Sequence, residues 1–126
     1  MSLPLMNKAP KNFLILFFLM LAVGCKSSSS FNFGAYSEAE KFYEKKKYEK
    51  AIVKYGEYLR ENPDGNMAVI SYYYTAKSYD ALGQLDKARE LYEKIAKEHP
   101  SLVWANFSKA RLEELSAESK SAHRTG

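Results

Sequence analysis

A 37-residue period constrains the fold of this chain more than any other feature. Lys47-Tyr48-Glu49-Lys50-Ala51 aligns with Gln84-Leu85-Asp86-Lys87-Ala88, Tyr55 with Tyr92, and Asn62-Pro63 with His99-Pro100, each pair 37 residues apart. Ala39 and Phe42 align in the same way with Ala76 and Tyr79. A period of this length marks stacked structural units, each of which buries its apolar face against its neighbours.

Within each unit the apolar residues recur at helical spacing. Tyr48, Ala51, Ile52, Tyr55, Tyr58 and Leu59 form one stripe, and Leu85, Ala88, Leu91, Tyr92 and Ile95 form another. The spacing predicts two helix pairs, at about 35–46 with 48–61 and at about 67–82 with 85–98, followed by a last helix at about 101–116. Asp64-Gly65-Asn66 reads as a turn with Asn66 as the N-cap of the third helix. Gly83 is placed to close that helix in a left-handed conformation, and Pro63 and Pro100 stop the second helix of each pair. Ala39, Ala51, Ala76 and Ala88 are small where paired helices should cross, so the backbones can approach closely. Tyr55, Tyr79 and Tyr92 are expected to fill the space beside them, contributing about 1.5–3 kcal/mol each when fully buried. Residues 118–126 are polar and are expected to fray.

The second unit resembles a tetratricopeptide repeat (TPR). Tyr72, Ala76, Tyr79, Gly83, Ala88, Tyr92 and Pro100 fall at the spacing of that family's aromatic, small, aromatic, glycine, alanine, aromatic and proline positions, over about 69–102. The first unit, about 32–63, keeps Ala39, Phe42, Ala51, Tyr55 and Pro63 but has Ala35 for the first aromatic and Lys46 for the glycine. The longer period is accommodated most simply in Asp64-Gly65-Asn66. The resemblance implies an all-α fold: a short TPR-like α-solenoid of two helix hairpins plus a C-terminal helix. It also implies that the first helix of each pair lines a groove for a protein or peptide partner. The residues carried onto that face are Tyr36, Glu40 and Tyr43 from the first unit and Ile70, Tyr73, Lys77 and Asp80 from the second. Two readings of the Tyr72-Tyr73-Tyr74 run remain open: rings offered to a partner, or helix packing with one ring inside and two along the surface. The Lys and Asn pattern of the carboxylate-clamp TPR is not reproduced on this face, so a clamped C-terminal peptide is not expected.

The last helix carries Val103, Trp104, Phe107, Ala110, Leu112 and Leu115 over more than half its circumference, a wider stripe than a capping helix needs. Part of that surface should cover the second unit. The rest is a docking face, with Trp104 and Phe107 as its candidate residues, or a face for a second copy of the chain. The alternative is that Trp104 only covers the end of the core. The register of this helix against a third unit is left open.

Ahead of the repeats, Lys8 and Lys11 precede eleven apolar residues from Phe13 to Val23, and Gly24-Cys25 is followed by Lys26 and four serines. Eleven residues span about 16 Å as a helix, roughly half a bilayer core. A basic stretch, a short apolar stretch and a small residue before the only cysteine form a secretion signal with a cleavage point. Val23-Gly24-Cys25 resembles the lipobox of bacterial lipoproteins, with Ala22 standing where leucine is usual. The resemblance implies a signal peptide over 1–24, a lipidated Cys25 opening a Ser-rich tether over 25–33, and a helical domain over 34–117. It also implies membrane attachment through lipid on Cys25. Lys26 is not the Asp that resembles an inner-membrane retention signal, which favours the outer membrane, facing the periplasm. TPR-like lipoproteins with long links of this kind include the outer-membrane β-barrel assembly lipoprotein family, whose module this chain resembles.

Without Lys8 and Lys11, 17 basic side chains face 15 acidic ones, which is no nucleic-acid footprint. Lys41, Lys45, Lys46, Lys47 and Lys50 alternate with Glu40, Glu44 and Glu49 as a solvated face does. No metal-spaced cluster, glycine-rich phosphate loop or nucleophile–base set is visible, so neither cofactor nor catalysis is expected. An interaction scaffold in the cell envelope is the leading expectation, and a homo-oligomeric structural lipoprotein the alternative.

Overall fold

The computed structural model describes residues 33–124, which form five α-helices and no strand. They are α1 (Phe33–Glu44), α2 (Tyr48–Glu61), α3 (Ala68–Ala81), α4 (Leu85–Glu98) and α5 (Val103–Arg124). The expected signal peptide over 1–24, the expected lipidation site Cys25 and the expected tether over 25–33, apart from residue 33, lie outside the described residues. Helices α2 and α4 occupy the spans that periodicity predicts. Helix α5 does not: it continues to Arg124, well past the expected end at 116. Within the expected polar tail, residues 118–124 are exposed and helical. Nothing between Ala105 and Arg124 breaks a helix, and Arg111 pairs along it with Glu114 at 2.8 Å and Glu118 at 3.1 Å.

The turns explain how the pairs close. After α3, Gly83 takes φ 73°, its N–H donates to the Asp80 carbonyl at 2.9 Å, and the Gln84 N–H donates to the Tyr79 carbonyl at 2.9 Å. After α1, Lys46 does the same with φ 56°, the Lys46 N–H reaching the Tyr43 carbonyl at 2.9 Å and the Lys47 N–H the Phe42 carbonyl at 2.8 Å. The closing geometry therefore survives without glycine, against a left-handed penalty of about 1 kcal/mol. Asn66 is not the N-cap of α3. Met67 precedes that helix, and no side chain caps it. Successive turns run from Asn62 to Gly65 and from Gly65 to Ala68, so Asn66 falls inside the second turn with its side chain exposed.

Each helix packs against the next in sequence, and α3 also touches α1 and α5. The four crossing alanines, Ala39, Ala51, Ala76 and Ala88, are fully buried, with Tyr55 and Tyr58 beside the first two and Tyr92 and Leu115 beside the others. Helix α3 is enclosed on several sides, and its buried faces are small and hydroxylated. The Ser71, Thr75 and Ser78 hydroxyls donate to the carbonyls of Met67, Ser71 and Tyr74 at 2.7–2.8 Å, so they enter the core already hydrogen-bonded.

The same pattern fixes the register of α5. Buried Ala68, Ser71 and Ser78 recur 37 residues later as buried Ala105, Ser108 and Leu115. Helix α5 is thus the first helix of a third unit. The residues of α3 that meet α4, Tyr72, Ala76 and Tyr79, correspond on α5 to Lys109, Glu113 and Ser116, all exposed. A hairpin-packing face has become a solvated one.

Candidate interaction surface

The first helices of the units, α1, α3 and α5, carry one continuous aromatic surface. Tyr43 of α1 meets Tyr74 of α3 edge-on, with ring centroids 4.9 Å apart. Tyr74 adjoins Tyr73 at 5.8 Å, and Tyr73 lies 5.0 Å from Trp104 and 6.2 Å from Phe107. Trp104 and Phe107 are themselves 6.0 Å apart. Helical spacing places Tyr73 and Lys77 one turn apart on α3. The Lys77 ammonium lies 5.9 Å from the ring centres of Tyr43, Tyr73 and Tyr74, at the outer range of a cation–π contact. Burial opposes the Lys77 charge, but the Tyr43 hydroxyl and the neighbouring tyrosines outweigh it and move the pKa above the usual lysine value. The group is an ammonium at neutral pH.

Members of both sets expected from sequence, Tyr43, Tyr73 and Lys77 with Trp104 and Phe107, thus meet in one place. Tyr43, Tyr73 and Lys77 are half-buried, Trp104 is half-buried and Phe107 is 49% exposed. Glu40 is exposed on α1, and Ile70 is half-buried against the core of the first unit. Tyr36 departs from its expected place. It is only 5% exposed, with its ring edge-on to Tyr55 at 5.9 Å and to Tyr58 at 5.5 Å. Met67 and Ile70 also pack against its cluster, so Tyr36 is a core residue. Burial first, and then the neighbouring Glu40 carboxylate, push its hydroxyl pKa well above the usual tyrosine range.

Asp80 is also not free to meet a partner. Arg111 of α5 grips it with two hydrogen bonds, Nε to Oδ2 at 2.7 Å and Nη2 to Oδ1 at 3.0 Å. The Tyr92 hydroxyl approaches the same Oδ2 at 3.4 Å. The hydrogen bond to Asp80, followed by that to Glu114, raises the Arg111 pKa further. The Asp80–Arg111 pair ties α3 to α5 and holds Trp104 in register beside Tyr73. Sequence reading named Tyr74 only as part of the Tyr72-Tyr73-Tyr74 run and missed Arg111. Their relation is visible only by the period, because Arg111 stands 37 residues after Tyr74. The tyrosine run follows neither open reading fully. All three rings are half-buried; Tyr72 lies beneath Lys94 of α4 at 4.2 Å, while Tyr73 and Tyr74 join the aromatic surface.

Residues 71–101, spanning nearly all of α3 together with α4, match the family model described as a tetratricopeptide repeat. The chain contains a tetratricopeptide repeat. Its two hairpins and fifth helix form a short TPR-like α-solenoid. No curated protein matches the chain. TPR helices make a non-catalytic protein-interaction fold, and among the described residues no group of three His, Cys, Asp or Glu side chains could hold a metal ion. What this TPR surface offers is stacking area around one cation, which suits binding.

Proposed function

We propose that this chain is an envelope lipoprotein, anchored through lipid on Cys25, whose TPR array is a protein-interaction scaffold within an outer-membrane assembly or transport complex. The observation that carries the binding half is the single aromatic surface joining Tyr43, Tyr73, Trp104 and Phe107 across three helices. Aromatic side chains supply large contact area at low entropic cost and dominate interface hot spots. The anchoring half rests on the order Lys11, apolar Phe13 to Val23, Gly24-Cys25 and the serine run. Among the described residues no helix is long and apolar enough to cross a membrane.

Crosslinking and capture of the full-length protein from its native membrane tests the binding half. Because Tyr43, Tyr73 and Trp104 share one surface, Tyr43→Ala/Tyr73→Ala and Trp104→Ala should lose the same partner. A partner retained by both variants would sink the aromatic surface as the interface, and capture of the chain alone would replace the scaffold with a homo-oligomer. For the anchor, Cys25→Ser should abolish incorporation of labelled palmitate and release the protein from membranes; continued labelling would refute lipidation at this residue.

A further inference from the structure

Lys77 lies at the middle of the aromatic surface, yet no ion pair joins it to a carboxylate among the described residues. Arg89 and Lys94 are also part-buried without an ion pair among the described residues, but they lie on α4, outside the aromatic surface, and two further part-buried cations are paired. Lys54 is held by Glu38 at 3.0 Å and Glu57 at 2.9 Å, and Arg111 by Asp80, Glu114 and Glu118. The Tyr43 hydroxyl and the surrounding tyrosines offset the burial of the Lys77 charge, but none of them is the opposite charge that a cation withdrawn from water pairs with best. The Asp80 carboxylate, one turn along α3, is occupied by Arg111 and turned to α5. At the corresponding position of the first unit, Glu40 is exposed and lies 37 residues before Lys77.

We infer that this surface takes a peptide segment of a partner protein in which an internal Asp or Glu side chain meets Lys77 while apolar side chains on both sides of it lie on the rings. This rests on the proposed interaction function and names its ligand chemistry. The charge calls for a carboxylate. The rings decide which kind: Tyr43 and Tyr74 extend to the α1 side of Lys77, and Tyr73, Trp104 and Phe107 extend to the α5 side. The apolar floor continues in both directions, so the bound chain runs past Lys77 instead of ending there. A terminal carboxylate would need a closed end with several donors, whereas one ammonium matches one side-chain carboxylate.

The test is selection of short random peptides, blocked at both ends, on the full-length protein in detergent. Titrations of the enriched sequence follow, read by the fluorescence of Trp104, the only tryptophan. Enriched peptides should carry an internal acidic residue flanked by aromatic or large aliphatic ones, and changing that acid to its amide should weaken binding roughly ten-fold. Lys77→Met, which keeps the side-chain bulk, should erase the difference between acid and amide, and Lys77→Glu should select Lys- or Arg-bearing peptides. Enrichment of apolar peptides without an acid, equal binding of acid and amide, or a strong gain on unblocking the C-terminus would overturn this inference while leaving the interaction surface in place. Failure to enrich any peptide would overturn both.

Discussion

The two TPR-like units share a backbone but join to their neighbours differently. At the joint between α3 and α5, Asp80 and Arg111 form a bidentate ion pair that the Tyr92 hydroxyl also approaches. One period earlier, at the joint between α1 and α3, the same two positions hold Tyr43 and Tyr74, whose rings meet at 4.9 Å. The counterpart of Tyr92 is Tyr55, and its buried hydroxyl has no hydrogen-bond partner. The units also differ at the turn, where Lys46 takes the left-handed conformation that Gly83 takes in the second. The first unit therefore tolerates two stranded hydroxyls, on Tyr55 and Tyr58, and a strained turn, and in exchange its joint contributes rings to the interaction surface. The second unit contributes rigidity: its polar tie holds α5, and with it Trp104.

Alkali should separate the units most strongly. Burial raises the hydroxyl pKa of Tyr36 and Tyr55 in the first unit and of Tyr92 in the second, all above the unfolded value of about 10. For groups whose folded pKa is raised, the stability contribution is complete below the unfolded pKa. It falls as pH rises beyond about 10, because only the unfolded chain ionises. One pH unit above that point the loss should reach about 1 kcal/mol per tyrosine, with hydrogen exchange showing the first unit opening before the second. Coincident opening of both would remove the asymmetry.

Next in size is the polar tie. Arg111→Ala should cost about 2 kcal/mol in denaturant unfolding, since it leaves the Asp80 carboxylate part-buried without its cation. The double change Asp80→Tyr/Arg111→Tyr, which installs the first unit's pair in the second, should cost less than the sum of its single changes. Additive losses would mean that the joints are not interchangeable. Tyr55→Phe removes a buried hydroxyl without a partner and should raise stability by about 1 kcal/mol, whereas Tyr92→Phe should leave it unchanged or lower it. Equal effects would show that the Asp80 contact at 3.4 Å does nothing for Tyr92. The smallest contrast is at the turns: Lys46→Gly should stabilise by about 0.5–1 kcal/mol, and Gly83→Lys should destabilise by a similar amount. A thermal melt of each variant checks the pair.

Much of this was legible in the residues themselves. The period located both hairpins, the crossing alanines and the left-handed closure at Gly83. It could also have placed α5, but that signal is written in small residues, Ala68 with Ala105 and Ser71 with Ser108, which a search for apolar stripes passes over. The positions assigned to the groove stay accessible where neighbours leave room and are closed off where they do not. Tyr36 and Tyr73 share a repeat position, yet the side chains around them differ. Tyr36 is closed in by the Tyr58 ring where the second unit has Ile95, and by Met67 and Ile70 where α5 has Trp104 and Phe107. Burial at one position thus depended on three others far along the chain. Asp80 illustrates the same point for charge, because its partner Arg111 lies 31 residues away, on another helix.

The solvated outer face of α5 bears on whether such an array can be lengthened. A further hairpin fused after this helix would meet Lys109, Glu113 and Ser116 where the second unit has Tyr72, Ala76 and Tyr79 and the first has Ala35, Ala39 and Phe42. Burying that lysine and glutamate without compensation would cost more than the new contacts return. Engineering a longer version therefore begins with three substitutions on α5, toward Tyr, Ala and Tyr, and only then with added sequence.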